Sequence, residues 1–300
     1  MRLDDYRTSD NVQDDRGNGG GFGFGGGGGF GGLLFGLVLS RFGIGGVLIL
    51  LLGYCALSTL GGGLGIGGGP AVAPHQAAQA GGSSACASGV ARFSCQVLAS
   101  TEDTWSTILS RQGQRYTPTT LVLYTRGDRS GCGAAQSAMG PFYCPTDGKI
   151  YLDTSFFSEL QNRFHASGDF AEAYVIAHEV GHHIQDLNGT LRQIEERQQA
   201  ASTTQSNALQ VRVELQADCL AGVWAASAKA RDGRPLLDPG DAKEGLRAAS
   251  AIGDDTLQQE TQGTVVPDSF THGTSAQRVQ WLRKGLESDD PAACDTFAGA

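Results

Sequence analysis

The sequence predicts an α+β fold, mainly helical, with a short antiparallel sheet in its first half and one membrane-spanning helix ahead of it. Three observations carry this. Beyond Asp153 the pattern is helical, most clearly over Asp169–Leu187, residues 204–231 and residues 275–287. Before it, TLVLY (Thr120–Tyr124) and KIYLD (Lys149–Asp153) have the β-branched and aromatic content of strands. Finally, residues 42–60, FGIGGVLILLLGYCALSTL, carry no charge. At about 1.5 Å per residue they are long enough to cross a hydrocarbon layer about 30 Å thick.

Taken in order, residues 1–16 are polar and residues 17–32 are almost pure Gly and Phe, a composition that buries too little surface to fold. Residues 1–32 are therefore expected to be a disordered tail. Apolar character begins at Leu33 and is interrupted by Arg41, whose long side chain suits the membrane boundary, so residues 33–60 form the anchor. Arg2, Arg7, Arg16 and Arg41 precede the span, and the next basic residue is Arg92. The positive-inside rule then places the N-terminus in the cytoplasm and the remainder in the periplasm or outside the cell. A cleaved signal peptide is the rival reading, but it needs a basic start directly before its apolar core, and here a long Gly run intervenes. Residues 61–84, rich in Gly, Ala, Pro and Ser, read as a flexible linker, and residues 85–300 as one folded domain. That domain opens with a helix over residues 88–110, and KIYLD is expected at the edge of its sheet.

The net charge of −9 and the absence of clustered Lys and Arg exclude a nucleic-acid binder, which must neutralise phosphates. Six of the seven cysteines follow the apolar stretch and no C-x-x-C pair occurs, so three disulfides and an oxidising compartment are expected rather than a zinc ribbon or a redox motif. Spacing alone does not decide the connectivity. The expected pairs are Cys132 with Cys144 across a short loop and Cys86 with Cys95, leaving Cys219 for Cys294.

The chemistry lies in AYVIAHEVGHHIQDL. His178, Glu179 and His182 form an H-E-x-x-H motif within an apolar helical pattern, which puts both histidines on one helix face. Two imidazoles so spaced can meet one Zn²⁺, with Glu179 placed as base for a bound water. Two surface histidines would be the bland alternative. The third ligand is sought in VELQADCLAG, where Glu214 and Asp218 stand four residues apart with no basic residue at helical spacing between Arg212 and Lys229. Inward-facing acids need a cation or hydrogen bonds. Glu214 is the candidate ligand, and Asp218 the candidate carboxylate that holds the outer N–H of a ligating histidine, His178 first. An exposed acidic pair is the competing reading.

HEVGHH followed by ELQADC resembles the bacterial neutral zinc metallopeptidase family, membrane-anchored proteins similar to gluzincins. SDNVQDDRG before the Gly run, SGCG, GPFYCP, the strand into YLDTSFF, and HGTSAQRVQWL from His272 extend the resemblance over nearly the whole chain. It implies His178, His182 and Glu214 as zinc ligands, Glu179 as general base, and a peptide or protein substrate laid along a sheet edge. His183 turns about 100° away from the metal-facing side and is read as structural. His272 precedes a helix capped by Thr274 or Ser275 and is a candidate catalytic residue that would polarise the substrate carbonyl. Tyr143 and Tyr151 are alternative donors, and the sequence does not choose among the three. Two other classes stay open: a zinc-stabilised envelope scaffold or binding protein without turnover, and an interaction protein acting through its Gly/Phe tail.

Overall fold

A computed structural model describes residues 1–17, 82–136 and 139–298. They belong to one compact unit made of residues 1–20 and 78–300; a second unit, residues 21–77, contains most of the expected anchor and linker and lies outside the described residues, as does the whole of the span expected over 33–60. Among the described residues no helix is long and apolar enough to cross a membrane.

Strands β1 (Val12–Asp14), β2 (Thr120–Tyr124), β5 (Phe142–Cys144) and β6 (Lys149–Asp153) form a sheet of order β1-β2-β6-β5, while β3 (Gly127–Ser130) and β4 (Gly133–Gln136) make a separate antiparallel hairpin. The expected antiparallel sheet is thus corrected. β1 and β6 both run parallel to β2, and only β5 pairs antiparallel, with β6. KIYLD is not an edge strand but lies between β2 and β5. Its near-continuous burial, like that of TLVLY, is the mark of a strand covered on both faces.

The helices are α1 (Gly89–Arg111), α2 (Phe156–Asn162), α3 (Asp169–Leu187), α4 (Thr190–Gln199), α5 (Thr203–Ser227), α6 (Asp241–Ala251), α7 (Asp254–Gln262) and α8 (Ser275–Leu286). Capping boxes start α5, at Ser202 with Gln205, and α8, at Thr274 with Gln277, satisfying backbone N–H groups that the helix leaves free. Small residues let the helices approach closely. A Cβ on Gly181 would meet the Ala217 carbonyl at 2.9 Å, so α3 and α5 touch backbone to backbone beside the histidine pair. All three expected disulfides are present, Cys86–Cys95, Cys132–Cys144 and Cys219–Cys294, the last tying the segment after α8 to α5.

The expectation of a disordered tail over residues 1–32 is corrected for residues 1–17. Leu3 and Val12 are buried in the main core, and Gln96 Nε2 of α1 donates to the carbonyls of Leu3 (2.7 Å) and Tyr6 (3.0 Å). Arg7 pairs with Glu102 at 3.0 Å and with Asp103, and Asn11 donates to Glu102 at 2.8 Å. Composition misled here because each anchor is a single residue in a polar stretch, and strand β1 is only three residues long. Residues 1–17 thus pack on residues 82–298 as part of the same unit.

Candidate active site

Helices α3 and α5 bring the two motifs together. His178 Nε2 lies 3.2 Å from His182 Nε2 and 3.1 Å from Glu214 Oε2, with 3.5 Å between His182 Nε2 and Glu214 Oε2. These three residues are the group among the described residues whose donor atoms converge as metal ligands would. Tetrahedral zinc with bonds of 2.0–2.1 Å sets its ligand atoms about 3.3 Å apart, so the observed triangle fits that ion. All three residues are buried.

The outer nitrogens are held as well. His178 Nδ1 donates to Asp218 Oδ1 at 2.8 Å, and His182 Nδ1 to Gln185 Oε1 at 2.8 Å, which leaves each Nε2 as the nitrogen facing the gap. Burial disfavours an imidazolium, but the Asp218 carboxylate outweighs it and pushes His178 up to about 10 in the metal-free protein. A cation binding there at neutral pH expels a proton. Burial also opposes ionisation of Glu214, yet the two imidazoles hold it well below the usual carboxylate range.

Asp218 is fully buried and carries the load of a counter-ion. It accepts Arg278 Nε (2.9 Å) and Nη2 (2.9 Å) and the Tyr174 hydroxyl. Burial raises such a carboxyl, but Arg278 foremost, and His178 with it, bring Asp218 down to about 2. The cation that Asp218 lacked within its own helix therefore arrives from α8, 60 residues later. Sequence reasoning missed Arg278, although it lies in the quoted HGTSAQR. It also missed Gln185, whose one signal is its position a helical turn after His182.

Glu179 is buried beside the histidines, and burial pushes its carboxyl above the ordinary range against the pull of His178 and His182. It faces a cleft of about 860 Å³ walled by Phe142 and Tyr143 of β5, Phe156 of α2, Leu191 and Ile194 of α4, and Leu257 of α7. His272 lines the same cleft with its side chain half exposed. Asp254, the first residue of α7, pins that loop: its Oδ2 accepts the backbone N–H groups of Thr271 (2.7 Å), His272 (2.6 Å) and Gly273 (3.0 Å), and its Oδ1 lies 3.3 Å from His272 Nδ1. Desolvation lowers the His272 pKa, but Asp254 more than compensates and raises it.

The hydroxyls of the two tyrosine alternatives both have carboxylate partners. Tyr143 Oη donates to Asp186 Oδ2 at 2.7 Å and sits 3.1 Å from His183 Nδ1, and Tyr151 Oη donates to Asp147 at 2.7 Å while its ring stacks on Phe142. His183 Nε2 donates to the Thr117 carbonyl at 2.7 Å, the structural role expected of it. Together these contacts lash β5 to α3. The edge strand beside the histidines is β5, not KIYLD.

Two helices that present a His-His-Glu donor set under a cleft, with a further carboxylate alongside, define the class of metal-dependent hydrolases built on H-E-x-x-H. This chain belongs to the family described as "Putative neutral zinc metallopeptidase", whose model it matches over residues 1–297. It is 45% identical over 298 residues to the uncharacterized protein YpfJ of Escherichia coli strain K12, covering 99% of each chain. It is 43% identical over 217 residues to uncharacterized proteins of Mycobacterium bovis and Mycobacterium tuberculosis, covering 69% of this chain and 71% of theirs. No solved structure matches it. Family and donor set together imply a bound metal.

Proposed function

We propose that this protein is a zinc-dependent endopeptidase of gluzincin type, with His178, His182 and Glu214 as ligands. The observation that carries the reading is the convergence of those three donor atoms with Glu179, outside their triangle, buried beside them. Zinc held there would supply a bound water of lowered pKa and a Lewis acid for the scissile carbonyl. Glu179 takes the water's proton and returns it to the leaving amine, and its raised pKa suits it to both transfers. The substrate adds as a strand to β5, whose outer edge is unpaired among the described strands. His272, held by Asp254, donates to the developing oxyanion. Arg278 keeps Asp218 ionised so that His178 stays in the ligating tautomer. Chelation of the full chain should abolish cleavage of a fluorogenic peptide and added zinc restore it; activity that survives chelation would refute the metal role.

His272 is useful only while protonated, so activity falls as pH rises through its pKa, which Asp254 raises. Asp254→Asn removes that charge, and the alkaline limb of kcat/KM should move toward lower pH. An unmoved limb would take His272 out of the mechanism.

Three disulfides suit an oxidising compartment, and the domain is proposed to face one, with residues 1–17 on the same side. Single cysteines at Asp4 and Arg283 should then be labelled alike by a membrane-impermeant thiol reagent on intact cells. Labelling of one without the other would contradict the shared side.

A further inference from the structure

The two ligating histidines are supported in chemically different ways. Behind His178 stands an ionised carboxylate neutralised by Arg278; behind His182 stands the neutral amide of Gln185. Gln185 is fully buried on α3, three residues after His182. Its Nε2 donates to the Val213 carbonyl at 2.7 Å and to Gln216 Oε1 at 2.9 Å, both on α5.

Backbone carbonyls set which end of each amide is which, because they only accept. Gln216 Nε2 donates to the Cys294 carbonyl at 3.1 Å, so its oxygen faces Gln185. Gln185 must then turn its NH₂ toward Val213 and Gln216 and its oxygen toward His182. The polarity runs one way from the Cys294 carbonyl, itself tied to α5 by Cys219–Cys294, to the His182 ring. An amide oxygen can only accept, so His182 carries its proton on Nδ1 and presents a bare Nε2 to His178 Nε2 and Glu214 Oε2.

We infer that Gln185 is the positioning residue for His182: it selects the ligating tautomer, fixes the ring, and takes its own orientation from α5 through Val213 and Gln216. A neutral amide serves both sides, accepting from His182 and donating to α5; a carboxylate would keep the acceptor toward His182 and lose only the donation to Val213 and Gln216. The inference rests on the proposed zinc site, and His182→Ala retaining full zinc would sink that site rather than this role.

The test is zinc affinity of the full chain by chelator competition, with the His182 tautomer read by ¹⁵N NMR. Gln185→Met keeps the volume and removes the acceptor; it should weaken zinc about 10- to 100-fold and shift His182 away from the Nδ1–H form. Gln185→Glu restores an acceptor and should recover most of that affinity. Ile150→Ala, in the sheet away from the cleft, serves as a destabilised control that should keep parental affinity. Three results would each overturn the role: Gln185→Met binding zinc within twofold of the parent with an unchanged tautomer, equal losses in the Met and Glu variants, or an equal loss in the sheet control.

Discussion

Glu179→Gln is expected to bind zinc and melt as the parent does, yet to lose peptide hydrolysis by several powers of ten. The substitution keeps the shape of a side chain that is buried at the cleft beside the histidines and accepts a backbone hydrogen bond from Tyr143. It removes the group that must take and return a proton. General base action alone is worth about 10²- to 10⁴-fold, and here it is coupled to water activated by the metal. Hydrolysis and zinc content should be measured on the same preparation. A variant that cleaves within tenfold of the parent would move the base elsewhere.

The second large effect is on the metal. His178→Ala, His182→Ala and Glu214→Ala each remove one of three donors lying 3.1–3.5 Å apart, and each should strip zinc from the full chain far more than loss of a supporting residue does. Asp218→Asn behaves differently from a simple support. It should weaken zinc about 10- to 100-fold through His178. It also leaves the Arg278 guanidinium, 3% exposed, without its counter-ion, a loss that costs about 3–5 kcal/mol for a buried pair. The Asn variant should therefore melt well below the parent even without metal, whereas Glu214→Ala should not. Metal analysis beside thermal melts separates the two. Full zinc in the Glu214 variant would strike it from the ligand set.

The contrast between Asp218 and Arg278 shows where the sequence was readable. His178, Glu179, His182, Glu214 and Asp218 are visible because helical spacing is local, and one periodicity places all five on two facing helices. TLVLY and KIYLD were legible as strands, but not their order, because parallel pairing across long connections leaves no mark in either strand. Arg278, Gln185 and Asp254 act through tertiary contacts, two of them from elements 18 and 60 residues away from their partners, and side-chain chemistry alone did not single them out. The N-terminal segment was misread for a related reason. Its burial is carried by Leu3, Val12 and a few hydrogen bonds spread through an otherwise polar stretch.

The most direct test of the central claim is a peptide-library digest by the full, disulfide-bonded, zinc-loaded chain, with products read by mass spectrometry against the Glu179→Gln variant at equal zinc content. The account predicts internal cleavage by the wild-type chain and almost none by the variant. If the wild-type chain carries one zinc per molecule and cleaves nothing in the library, the H-E-x-x-H helix is a structural zinc clip, and the scaffold reading replaces the peptidase.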